Sequence, residues 1–311
     1  MINSHERPLE NGRSQIKPAL QFLIFTAIFI GVLILGNIIG AAMVTAIYGL
    51  KTLVAVGNLN TASPHFVNAL WVLQITGTTL PIFGAPVFFS YVIVKEPGNY
   101  LKTSFNFPWV LVLLVLAIMF ISNPLIEFLS NLNQKMVLPP FLKWMRDSED
   151  NAQKLTSAML QMKTIWDMIM DLFLIGLLTA IVEEFMFRGV LQTIFIRWTK
   201  NVHVAVWITA ILFSAFHIEF FGFLPRMMLG VLFGYFVAWS GSIWTAVWAH
   251  FINNGTAVVA TYLFAHKLIK INPDDQHLFS YAGYIFSFAI VLFLFVVYKK
   301  VAFEKNQIQE Y

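Results

Sequence analysis

The stretch Thr179-Ala180-Ile181-Val182-Glu183-Glu184-Phe185-Met186-Phe187-Arg188-Gly189 puts two acids and a base inside a run that carries no other charge between Leu172 and Ile196. The whole chain of 311 residues is 58% hydrophobic and 12% charged, against roughly 45–50% and 25% in soluble domains. Its mean hydropathy of +0.72 leaves more apolar surface than a soluble core of this length can enclose. The chain is therefore read as an integral membrane protein, and the 179–189 stretch as part of a membrane helix. A charged side chain at mid-bilayer costs about 2.5–3.5 kcal/mol, so three of them uncompensated cost on the order of 8–10 kcal/mol. Something must pair them.

Working outward, further apolar runs fit spans at about 18–50, 69–94, 107–129, 203–221, 225–240, 242–265 and 279–298. With about 166–198 they give an all-α, polytopic transmembrane bundle of about eight spans. Pro81 and Pro86 are expected to kink the second span. The last two runs before residue 266 adjoin so closely that they should form an antiparallel hairpin. Residues 130–165 mix Lys, Arg, Asp and Glu with Trp144, Leu155, Met159 and Met162, the pattern of an amphipathic interfacial segment. The expected organisation is N-terminal spans with this segment over 1–165, a core over 166–265, and a last span with a tail over 266–311. Once the long 130–165 segment is set aside, the Lys and Arg residues favour both termini in the cytosol. Gly36-x-x-x-Gly40 and Gly230-x-x-x-Gly234 are small-residue patterns that let helices approach closely, expected here within the chain. The net charge of +4 is spread singly between apolar runs, with no basic stripe for nucleic acid.

Glu184 and Arg188 stand i,i+4 with the acid N-terminal, the favourable order for an ion pair on one helix face. Glu183 is rotated about 100° away and has no partner in its own helix, which makes it a candidate general base unless the segment ends in water. Of the seven histidines, only His217 and His250 lie within apolar runs, His217 one turn after Phe213. His250 precedes Asn254 by four residues, so both project from one helix face. As two neutral donors they suit a developing oxyanion; as structural groups they would be hydrogen-bonded glue between helices. The absence of cysteine excludes a thiol nucleophile, a disulfide framework and a Cys-ligated metal. H-E-x-x-H and G-x-G-D are absent, and Ala238-Trp239-Ser240-Gly241 lacks the first glycine of a rhomboid serine motif. His217-Ile218-Glu219 has the H-x-E of zinc deaminases without their cysteines.

Three motifs remain: E-E-x-x-x-R at Glu183, Glu184 and Arg188, F-x-x-x-H at Phe213 and His217, and H-x-x-x-N at His250 and Asn254. In this order and spacing the chain resembles the CPBP intramembrane proteases. That group comprises the type II CAAX prenyl endopeptidases and the bacteriocin-processing or abortive-infection (Abi) proteins. The resemblance covers about 166–265 and implies a helical bundle with the active site inside it, open toward the cytosolic leaflet. It implies that Glu183 and His217 activate water, that His250 and Asn254 hold the oxyanion, and that Glu184, Arg188 and Phe213 support them. The substrate implied is a membrane-embedded or lipidated peptide or protein in the lipid bilayer of the cell membrane. Family members are often called metalloproteases, and a zinc ion would take Glu183, His217 and His250 as ligands. No metal or other cofactor is expected, because the i,i+4 placement of Asn254, a poor zinc ligand, is better explained by an oxyanion hole. Two rival classes remain at this stage: a non-enzymatic immunity or binding scaffold, and a transporter relaying protons through the same residues.

Overall fold

The computed structural model describes residues 16–308 other than Asp274 and Gln276. The N-terminal stretch with Arg7 and Arg13, which enters the orientation expectation, lies outside the described residues. All regular structure among the described residues is helical. In chain order the helices are α1 (Pro18–Tyr48), α2 (Leu50–Gly57), α3 (Phe66–Val94), α4 (Pro97–Leu101), α5 (Val110–Ile121) and α6 (Asn123–Gln134). They continue as α7 (Lys143–Met159), α8 (Ile165–Thr199), α9 (Val202–Phe216), α10 (Phe223–Ser240), α11 (Trp244–Ala265) and α12 (Tyr281–Ile308). Among the described residues five helices are long and apolar enough to cross a membrane, α1, α3, α8, α10 and the Tyr281–Glu304 part of α12, and the bent α5–α6 pair makes a sixth if it is one span. α9 is apolar but shorter, and the apolar run of α11 is diluted by His250, Asn253 and Asn254. Leu23, Ile34, Ile38, Leu113, Phe286 and Phe293 are more than half exposed, which in a membrane protein is the lipid-facing surface.

Several boundaries differ from the sequence expectation, each for a local reason. The first span stops at Tyr48 because Gly49 takes a positive φ of 85°. α3 passes Pro81 and Pro86 as one 29-residue helix. The missing N–H groups are absorbed by π-helical turns at Ile75–Thr79 and Phe89–Val94 on either side of the prolines, as such turns commonly allow. The third span bends by 43° between α5 and α6, where Asn123-Pro124 starts a new helix with proline in its first turn. α9 ends at Phe216, short of the expected residue 221. His217 is thus its C-terminal cap, and Ile218 follows with φ of 55°, a conformation uncommon for a β-branched side chain.

That early end is held by tertiary contacts. Asn133 donates to the carbonyl of Phe220 (2.9 Å) and accepts from the amide of Leu224 (2.7 Å). Glu149 of α7 accepts from the amide of Phe221 (3.1 Å), and the Arg146 guanidinium lies 4.0 Å over the Phe221 ring. Burial against this loop pushes the Glu149 carboxyl above the usual carboxylate range. α7 leaves Trp144 exposed and buries Ala158, so the amphipathic segment both lies on the surface and grips the loop after His217.

α8 is fixed in register by a capping box: Thr164 Oγ1 accepts from the amide of Asp167, and Asp167 Oδ2 accepts from the amide of Thr164 (2.8 Å). α8 packs on α10 through a ladder in which Arg188 Nη2 donates to the carbonyl of Gly230 (3.1 Å) and Gln192 Nε2 to that of Gly234 (3.0 Å). Two donors four residues apart on one helix meet two glycines four residues apart on the other. A Cβ at Gly230 would sit 3.1 Å from Ala210 Cα, and one at Gly234 would sit 2.9 Å from Gln192 Oε1. Gly36 and Gly40 likewise face Thr76 of α3, so both small-residue patterns pack within this chain. Gly234→Ala is expected to destabilise the full chain by about 1–3 kcal/mol, the usual cost of overpacking, read as a lower thermal midpoint in detergent. An unchanged midpoint would mean that α8, α9 and α10 are not packed as described.

Candidate active site

The charges in the middle of α8 are compensated by a closed cluster. Glu184 and Arg188 are both fully buried, and Arg188 Nη1 donates to Glu184 Oε1 at 2.8 Å. The Arg188 guanidinium lies 4.5 Å over the Phe213 ring and 5.3 Å over that of Phe233, an aromatic seat suited to a delocalised cation. A further π-helical turn at Phe185–Leu191 carries Arg188, and such turns recur at functional sites. Sequence spacing does not disclose the third member: His250 Nδ1 of α11 lies 2.8 Å from the same Glu184 Oε1. An ionised carboxylate only accepts, so Nδ1 carries the proton and donates.

This bond bears on the expectation for His250. A neutral ring that donates through Nδ1 presents a lone pair at Nε2. Nε2 donates only when the ring is protonated, and it lies 3.9 Å from Glu183 Oε2. With His250 protonated, the charges of Glu183, Glu184, Arg188 and His250 sum to zero. Phe233 stacks on the His250 ring at 5.2 Å, which fixes its plane.

Glu183, Phe213, His217, His250 and Asn254 all line one cavity of about 390 Å³. Three helices and the cap of one of them supply these groups. His217 Nδ1 donates to the carbonyl of Phe213 (2.9 Å), which leaves Nε2 as an acceptor, and Phe213 packs edge-on against both His217 and His250. Glu183 Oε2 is buried without a hydrogen-bond partner. A buried orphan acceptor that lines the same cavity as the His217 ring is a place for a group that donates twice, such as water. Asn254 Nδ2 donates to the carbonyl of Ile175 (3.2 Å), and its Oδ1 accepts from Asn253 (3.1 Å). One N–H of the Asn254 amide is left over. α11 comes this close to α8 because Gly176 and Gly255 face each other's helices: a Cβ on Gly255 would lie 3.0 Å from Leu172.

Thr179, Asn253 and Arg226 also line the cavity and were not singled out from the sequence. Thr179 stands one turn before Glu183, and Arg226 is the lone charge at the head of an apolar run. Those positions were the available signals. The two Nδ1 anchors leave imidazole lone pairs, as metal ligands require, while no three His, Asp or Glu side chains among the described residues are gathered closely enough in this structure to hold an ion.

A family model described as type II CAAX prenyl endopeptidase Rce1-like matches residues 165–256. The match runs from the first residue of α8 past Asn254 and so spans every cavity-lining group of the three motifs. No curated protein and no solved structure matches the chain. The buried charge cluster and the three motifs all fall within the residues that match this family model, 165–256.

Proposed function

We propose that this protein is an intramembrane endopeptidase in which Glu183 and His217 activate water against a peptide bond within the bundle. The observation that carries the reading is the convergence of Glu183, His217, His250 and Asn254 on one cavity. Water there donates one proton toward the unpartnered Glu183 Oε2 and the other toward His217 Nε2. As hydroxide forms and attacks the carbonyl carbon, one proton passes to Glu183 while His217 holds the other; when the C–N bond breaks, the proton on Glu183 goes to the departing amine. The oxyanion takes hydrogen bonds from protonated His250 Nε2 and from the spare N–H of Asn254, donors already fixed by Glu184 and Ile175. Glu184 and Arg188 serve by holding His250, and Phe213 by spacing the two imidazoles.

No step requires a metal; zinc is the alternative, with Glu183, His217 and His250 as its ligands. The substrate class is a membrane-embedded or lipidated peptide or protein, and nucleic acid has no place in the reading. We assign 166–265 as the catalytic core, the cell membrane as the location, and the cytosol as the side of both termini.

The ranking of two variants separates the chemistries. Asn254→Ala is expected to lower kcat by about 10²–10³ with KM nearly unchanged, as for loss of one oxyanion donor. A zinc site predicts that Asn254→Ala matters little and His250→Ala strips the ion. Inactivation by chelator with revival by zinc alone would overturn the metal-free reading.

A further inference from the structure

Besides the two histidines, two ionisable side chains line the cavity: Glu183 and Arg226. Arg226 is the fourth residue of α10. A cation in the first turn of a helix opposes the helix dipole, so the helix itself does not explain its place. Its Nη2 is paired with Glu219 Oε2, and Glu219 stands outside the lining of the cavity. The guanidinium packs against the backbone of Gly222, where a Cβ would lie 3.2 Å from both Nη1 and Nη2. Ion pair and glycine together hold the fork in one orientation. The other arm, Nη1, is buried with no hydrogen-bond partner, and a buried donor of a charged group left unmade is costly.

We propose that Arg226 is a specificity residue that binds a carboxylate of the peptide. The proposal rests on the peptidase reading above. The cavity is near the small end of ligand pockets, so the part of the peptide it encloses is short. Its remaining walls include Ile126, Pro225, Leu229 and Phe233, which suit apolar side chains. An acceptor entering this space meets one formal cation whose counter-ion is not among the lining residues, and charge-assisted bonds of guanidinium to carboxylate are the strong ones. The carboxylate comes either from the chain terminus or from an acidic side chain.

Equilibrium binding of three tripeptides to the full chain in detergent tests this: Leu-Leu-Ala free acid, its C-terminal amide, and the amide of Leu-Glu-Ala. The expected result is that a carboxylate-bearing peptide binds about tenfold to a hundredfold more tightly than the plain amide. Preference for the free acid assigns the terminus, and preference for the Glu-containing amide assigns a side chain. Arg226→Gln should erase the preference, Arg226→Lys should retain part of it, and Glu219→Gln should leave it in place. Equal binding of all three peptides to the wild type, or a preference that survives Arg226→Gln, overturns the proposal. The wild-type comparison stands even if a variant fails to fold. Because the readout is binding, a protein that discriminates but never cleaves defeats the peptidase reading alone. Cleavage with equal binding of the three peptides defeats the Arg226 assignment alone.

Discussion

Glu183→Gln is expected to lower kcat by about 10²–10⁴, the usual cost of losing a general base, while the protein folds as the wild type does. The substitution keeps shape and removes charge at a carboxylate whose buried Oε2 has no hydrogen-bond partner and whose nearest basic atom is 3.9 Å away. It strands nothing. The amide nitrogen of the glutamine can donate to the water but cannot take its proton. His217→Ala should lose activity on the same scale, since it removes the second acceptor while the Glu184–Arg188–His250 cluster stays intact. Single-turnover cleavage with circular dichroism and thermal melts on the same samples checks both halves. More than about a tenth of wild-type kcat in either variant would be too much for a base of this kind.

Arg188→Met is expected to act through stability first, destabilising the chain by about 3–5 kcal/mol, the scale for removing one partner of a buried pair. Glu184 would remain at zero exposure, with His250 as its one remaining partner. The double variant Glu184→Gln/Arg188→Met should recover most of the loss, because it removes both charges and leaves amide and thioether groups of similar volume. Activity should not return with it, since His250 would lose the carboxylate that orients its ring. Denaturant melts of the four proteins of this cycle, set beside their cleavage rates, separate the two effects. A single variant as stable as the wild type would contradict the account of how these charges are tolerated.

The two variants also mark what the sequence disclosed. The i,i+4 pair of Glu184 with Arg188, the isolation of Glu183 and the sharing of one face by His250 and Asn254 follow from helical geometry alone. Helical periodicity also marks the apolar runs as helices, and the motif order leads to the family. The Glu184–His250 bond joins residues 66 apart and depends on α8 and α11 touching at Gly176 and Gly255, which lie on different helices and form no pattern along the chain. The end of α9 at Phe216 was hidden for a similar reason. Nothing in His217-Ile218-Glu219-Phe220-Phe221 breaks a helix by propensity, and the turn is imposed by Asn133 and Glu149 from α6 and α7. Arg226 needed the structure too, because its significance lies in an orphaned Nη1 and in a counter-ion, Glu219, that is not among the residues lining the cavity.

The central claim is that one cavity in this membrane bundle hydrolyses peptide bonds by its own acid and histidine. Mass spectrometry of a membrane-peptide library incubated in detergent with the wild type and, in parallel, with Glu183→Gln tests it most directly. New peptide termini produced by the wild type and absent with the variant are the result the account predicts. Equal product from both proteins, or none from a wild type shown to be folded, would contradict it and leave a non-enzymatic binding scaffold as the better description of the same residues.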